Sequence, residues 1–207
     1  MMKKTLAALF SSLTLAACSL VGIRTSPEPP YEVLKSDGKI ELRQYQPQLI
    51  AETFVSEDYD QAGSAGFRRL AGYIFGGNRE NEKIAMTAPV LQEPTSRQIA
   101  MTAPVLQEKT ADGWWMAFIL PADITIDNAP RPDNPDVRLR ELPAKKLASL
   151  EYSGLNSPEK MEAESRELEV WIGKQGLHAT EPPKMASYDP PWTLWFLRRN
   201  EVQIQVE

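Results

Sequence analysis

Residues 84–93 and 99–108 carry the same ten-residue run, Ile-Ala-Met-Thr-Ala-Pro-Val-Leu-Gln-Glu, separated by Pro-Thr-Ser-Arg-Gln. Apolar runs of this length, rich in β-branched and long side chains and bounded by turn residues, read as strands. The polar link between them is short enough to close a hairpin. Pro89 and Pro104 have no amide proton to give a sheet, so each strand has to bend, bulge or lie at an edge there. Two copies are too few for a solenoid. Met86 and Met101 then have two readings that pattern alone leaves open. Either they fill a core, or their flexible thioethers line a ligand groove.

The beginning of the chain has a different logic. Lys3 and Lys4 precede a largely apolar run, Thr5 to Ala17, that is too short to span a bilayer and has the layout of a secretory signal. It ends in Leu15-Ala16-Ala17-Cys18, which resembles the lipobox of bacterial lipoproteins. The resemblance implies removal of residues 1–17, lipidation of Cys18 and attachment to a membrane through acyl chains alone. Ser19 resembles the choice that sorts such proteins to an outer membrane facing the periplasm. Cys18 is the only cysteine, so an exported domain would have no disulfide and would rely on burial. Residues 18–30 carry Pro27, Pro29 and Pro30 and little to bury, and read as a tether. Residues 31–207 fit one domain with a sizeable core.

Charge narrows the partners. The formal charge is −5, and losing Lys3 and Lys4 makes it −7. With no long basic run, nucleic acid is not an expected partner. An acidic body is also repelled by anionic lipid, which leaves the anchor as the expected membrane attachment.

The domain reads as strands interrupted by two helices. Tyr31–Leu34 and Ile40–Tyr45 flank Asp37-Gly38, a hairpin turn signal, and Leu49–Val55 continues as a strand. From Tyr59 the period changes to that of a helix, with Ala62, Phe67, Leu70, Tyr73 and Ile74 on one face and Gly76-Gly77-Asn78 as the stop. After the repeated runs come a strand at Trp114–Leu120, a proline-rich connection over 121–135, and strands near Val137–Leu142 and Lys146–Tyr152. Ser157-Pro158 opens a second helix whose buried face is Met161, Leu168, Trp171 and Ile172. Strands at Trp192–Leu197 and Glu201–Val206 close the chain. The expected fold is α+β: antiparallel strands, one long helix in each half, and an internal pseudo-two-fold repeat.

Catalytic signatures are scarce. His178 is the only histidine and cannot build a multi-histidine or Cys/His metal site. A relay from His178 through Asp189 would need a nucleophile elbow that the sequence lacks. Gly63-Ser-Ala-Gly66 lacks the spacing of a phosphate loop. The many glutamates of the second helix read as a solvated face. Nothing in these residues asks to be an active site.

Three stretches, Gly66–Asn78, Lys83–Val90 and Tyr188–Val202, together resemble the SOUL haem-binding protein family, and Tyr31-Glu-Val with Glu41–Tyr45 fits its opening strands. The similarity covers essentially everything after Pro30. It implies a distorted antiparallel β-barrel with two flanking helices, related also to the effector-binding domains of multidrug-responsive regulators. It further implies haem or another porphyrin as ligand. Some animal members place a proposed axial histidine in the second strand; the matching position here is Gln44, which excludes that ligand. Other members are thought to hold the macrocycle in an apolar groove beside the first helix. The matching candidates are Phe67, Leu70, Tyr73 and Ile74 for the ring and Arg68 and Arg69 for the propionates, since a guanidinium fork suits a carboxylate. The same helix face also reads as core packing, and the same arginines as partners of Glu80 or Glu82. Trp192, Trp195 and Phe196 face the same alternatives. Two rival functions stay open: a sensor or carrier of another apolar small molecule, and a hydrolase using His178 or a carboxylate.

Overall fold

The computed structural model describes residues 27–56, 58–79, 103–110, 112–189 and 192–207. Eleven strands and two α-helices occur among them, in the order β1 (Tyr31–Asp37), β2 (Ile40–Tyr45), β3 (Gln48–Val55), α1 (Tyr59–Ile74), β4 (Asn78–Arg79), β5 (Val105–Thr110) and β6 (Gly113–Ile119), followed by β7 (Arg131–Pro132), β8 (Arg138–Leu142), β9 (Lys145–Tyr152), α2 (Pro158–Lys174), β10 (Lys184–Ser187) and β11 (Asn200–Gln205). Nine strands form one antiparallel sheet in the order β1-β2-β9-β11-β10-β5-β6-β3-β8, curled into a half-barrel. β4 and β7 make a separate two-stranded ladder.

The sheet order displays the internal repeat. β2-β9-β11-β10 and β8-β3-β6-β5 are equivalent quartets meeting where β10 pairs with β5, with Lys184 opposite Glu108 and Ser187 opposite Val105. In each half a strand runs into a long helix, and the helix is followed by a hairpin: β3–α1–β5–β6 and β9–α2–β10–β11. The strand preceding each unit crosses over, so β2 pairs with β9 and β8 with β3. This exchange ties the two halves into one sheet. The expected α+β fold of antiparallel strands with two long helices is what the chain forms, the sheet being a half-barrel.

Local chemistry sets the helix ends. Asp58 caps α1 by accepting the amide proton of Gln61 at 3.0 Å, and Ser157 caps α2 through Lys160 N at 3.2 Å. α1 stops at Gly76, whose φ of 115° is open only to glycine without strain. Both helices cover the same face of the sheet, α1 on β3 and β6, α2 on β9 and β11. Beneath α2 lie Met161, Leu168, Trp171 and Ile172, as expected, against Ala148, Leu150, Val202 and Ile204.

Two expectations change, and a third lies largely outside the described residues. Trp192–Leu197 is not a strand: Trp195–Leu197 forms a 3-10 turn, and Lys184–Ser187, where the spacing suggests no element, supplies the strand beside β11. Residues 192–197 have high strand propensity but no alternation, so no face of them suits a sheet. The presumed tether also joins the body before Tyr31. Pro27 O accepts from Ala103 N at 3.1 Å, and Glu28 pairs with Arg199 at 3.0 Å. Finally, the expected hairpin of the two repeated runs lies largely outside the described residues. Of the second copy, Val105–Glu108 forms the start of β5, a central strand.

Candidate functional site

The buried side of α1 is Ala62, Gly66, Leu70, Tyr73 and Ile74. Gly66 allows the helix to sit close: a Cβ there would stand 3.1 Å from Met116 Sδ and 3.2 Å from its Cβ. Leu70, 0% exposed, together with Tyr73 and Ile74 meets Leu49, Ala51, Met116 and Phe118 in a closed cluster. Tyr73 also donates its hydroxyl to Pro130 O at 2.9 Å. These three residues, expected as the floor of a ring-binding groove, are therefore core. Their own sheet seals them, because the helix's strongest apolar face is also the one that burial drives inward.

A second face remains. Phe67, 37% exposed, packs edge-on against Phe118 at 5.4 Å and marks the rim of the core. Going outward, Ala71 separates Phe67 from Phe75 along one i, i+4 row of α1, Ser64 and Gly72 are exposed, and Phe75 is 62% exposed. A Cβ on Gly72 would meet nothing within 4 Å. The result is a row in which the small Ala71 separates two phenyl rings, with exposed Gly72 alongside, where a flat molecule could approach the helix closely. Arg68 is exposed on this face, and no described group pairs with it. Arg69 points the other way: Nη1 donates to Phe54 O at 2.9 Å and lies 3.8 Å from Asp136. Its guanidinium is occupied in holding α1 to the sheet. Met86 and Met101 lie outside the described residues, as do Glu80, Glu82 and Cys18.

A cavity of about 630 Å³ opens at the end of the sheet, between the Pro27–Pro30 segment and the ends of β3, β6 and β8. Leu49, Leu120 and Ile124 continue its wall into the cluster beneath α1. Its charged lining is Glu28 and Glu141, with no cation, and the buried Nε2 of Gln48 has no hydrogen-bond partner there. Volume and apolar walls suit a small-molecule guest. Glu28 is paired by Arg199, and the remaining carboxylate, Glu141, disfavours a dianionic guest.

On the sheet face away from the helices, charge is concentrated. Glu201 accepts from Arg43 at 2.8 and 3.1 Å, from Ser149 at 2.6 Å and from Tyr188 at 2.8 Å. Burial raises its carboxyl pKa, but Arg43, Ser149 and Arg199 outweigh burial and hold it at about 2. Glu52 is gripped in the same way by Arg140, at 2.9 and 2.7 Å, and by Arg138 at 2.6 Å. Arg138 also stacks on Trp115 at 4.1 Å. Sequence reading missed this layer; its visible signal was the period-two spacing of Arg138 and Arg140 on a short strand.

The remaining candidates scatter. Gln44 donates to the carbonyls of Tyr45 and Lys145. His178 is exposed and joined through its backbone to Glu207, while Asp189 accepts from Arg199 N. Trp192, Trp195 and Phe196 are all more than half exposed. None of these meets the α1 face.

Residues 26–205 match the SOUL heme-binding protein family. The chain belongs to that family. Its SOUL relatives include Heme-binding protein 2 of Mus musculus, 26% identical over 187 residues, spanning 85% of this chain and 86% of the mouse protein. Heme-binding protein 2 of Homo sapiens is 27% identical over 183 residues, spanning 83% and 84%. Among solved structures, this SOUL domain resembles the EcmrR C-terminal domain, with a TM-score of 0.57 and 12% identity over 86% of this chain and 98% of that one. It also resembles a hydrolase from Listeria innocua, with a TM-score of 0.52 and 11% identity over 84% and 94%. At such identities the structural likeness speaks for the fold alone. At the level of the family, the ligand class is haem or a related tetrapyrrole.

Proposed function

We propose that this chain binds haem or a related tetrapyrrole without catalysing a reaction, on the outer face of α1. The observation that carries this reading is the exposure of Phe75, at 62%, and Phe67 beside the small residues Ala71 and Gly72 and the unengaged Arg68. Phe67 and Phe75 would flank the macrocycle, and Arg68 would meet a propionate. Covering about 200 Å² of apolar protein surface, at about 25 cal/mol per Å², is worth on the order of 5 kcal/mol before ordering costs. Haemin titrated into the full chain should give a saturable Soret shift. Phe75→Glu and Arg68→Glu should each weaken it about tenfold, because both side chains sit on the surface where folding does not depend on them. Absence of saturable binding removes the tetrapyrrole reading, whereas saturable binding indifferent to both changes removes this face.

The cavity under Pro27–Pro30 favours a second reading, a carrier of another apolar small molecule. Its Glu141 carboxylate and the Gln48 amide suit a neutral or cationic guest with a hydrogen-bond acceptor. Native mass spectrometry of the purified chain separates the two by the mass retained. A hydrolase using His178 has the least support, given the exposed setting of that imidazole. The reading further includes export and attachment through a lipidated Cys18, supported by the Leu15–Cys18 motif. Cys18→Ala should move the chain from the membrane fraction to the soluble fraction of a bacterial lysate.

A further inference from the structure

Across the sheet from the helices, Lys145 at the start of β9 is only 9% exposed, yet among the described residues its ammonium has no ion-pair or hydrogen-bond partner. Buried lysines are ordinarily paired, and an unpaired one marks a place where a counter-charge is missing. Lys145 lines a pocket of about 160 Å³ together with Arg138, Arg140, Lys184, Glu52 and Glu108. The two carboxylates are already satisfied, Glu52 by Arg138 and Arg140 and Glu108 by Lys184 at 3.3 Å. Lys184 is held by Glu181 as well, so four cations face three committed carboxylates, and Lys145 is the cation of the four that no described carboxylate pairs. The rest of the lining is apolar, with Ile50, Leu106 and Ala117 as a floor and Trp115 as a wall.

We infer that this pocket is a binding site for a small amphiphilic carboxylate, whose carboxylate pairs with Lys145 and whose short apolar tail rests on Ile50, Leu106 and Ala117. Its size excludes a macrocycle, so the site is separate from the α1 face. The charged groups facing Lys145 are Arg140 from β8, Lys184 from β10, Glu108 from β5 and Glu181 from the segment before β10. Burial first, and then the nearby Lys184, lower the Lys145 pKa to about 8. A bound anion supplies the missing stabilisation of the charged form, so affinity falls as pH rises through that value.

The test uses the full chain in detergent, with benzoate as probe and benzyl alcohol as the uncharged comparison, followed by calorimetry and ligand-observed NMR. Benzoate should bind saturably at millimolar concentration and benzyl alcohol should not. Lys145→Met should weaken benzoate about tenfold or more, in line with loss of one charge-assisted pair. Lys145→Arg should retain binding and lose the decline between about pH 7 and about pH 9.5. Lys146→Met, on the neighbouring residue that faces the opposite side of the strand, should leave binding unchanged. The inference is overturned by non-saturable benzoate binding, by equal binding of benzyl alcohol, or by a folded Lys145→Met protein with unchanged affinity. Should Lys145→Met lose its thermal transition, the Lys145→Arg pH profile decides alone: a decline identical to wild type overturns the inference.

Discussion

At the scale of single residues, two buried charges have opposite meanings for stability. Glu201 is enclosed yet fully partnered, and its carboxyl pKa lies at about 2. A depressed carboxyl contributes stability that is present above the ordinary glutamate range and is lost as pH falls toward that value. Glu201→Gln leaves Arg43 and Arg199 without their shared anion and should cost about 3–5 kcal/mol, read by urea unfolding at neutral pH. The variant should also lose part of the acid sensitivity of the wild type between about pH 5 and about pH 2. Lys145 is the reverse case, with a pKa lowered to about 8 by burial and by Lys184. Between that value and the ordinary lysine range the unfolded chain holds the proton more tightly, so folding stability rises with pH there. Lys145→Met should therefore stabilise the protein at neutral pH, on the order of 1–3 kcal/mol, and flatten that rise. A thermal-melt series across pH checks both signs.

Among the elements, α1 shows how far a periodic pattern can be trusted. The helix and its stop at Gly76 followed from spacing and from glycine chemistry, and spacing put Leu70, Tyr73 and Ile74 on one face without telling core from groove. Spacing did not tell Gly66 from Phe67. Phe67 is the more apolar residue, yet Gly66 faces Met116 and Phe67 sits at the rim, because the sheet approaches too closely for a side chain. Gly66→Leu should then lever α1 off β6 and cost about 1–3 kcal/mol, again by urea unfolding. The opposite error occurred at Trp192–Leu197, where aromatic content imitated a strand. Which segment pairs with β11 was decided by register: Lys184–Ser187 fits between β11 and β5 with Met185 and Ala186 buried on opposite faces. Ser157→Ala tests a feature that was legible in full, and loss of that cap should cost about 1 kcal/mol.

Taken whole, the molecule is two interlocked quartets of strands, and its possible binding places lie where the quartets and helices leave surfaces unfilled. The outer face of α1, the cavity beneath Pro27–Pro30 and the Lys145 pocket differ in charge: Arg68 beside the first, Glu28 and Glu141 in the second, a cationic excess in the third. A dianionic tetrapyrrole suits the first far better than the second, and haemin titration with Arg68→Glu beside Glu141→Gln should reflect that: weaker in the former, unchanged in the latter. By itself the sequence determined the class of fold, both helices with the Ser157 cap and the Gly76 stop, most strands and the family, since these rest on periodicity and short motifs that act over a few residues. Only the tertiary structure decided which apolar residues of α1 are core and which remain open, that β2 and β8 exchange halves, and that Lys145 and Arg140 share a pocket with Lys184. Those facts depend on how far apart distant strands come to lie, and a one-dimensional pattern holds no record of distance.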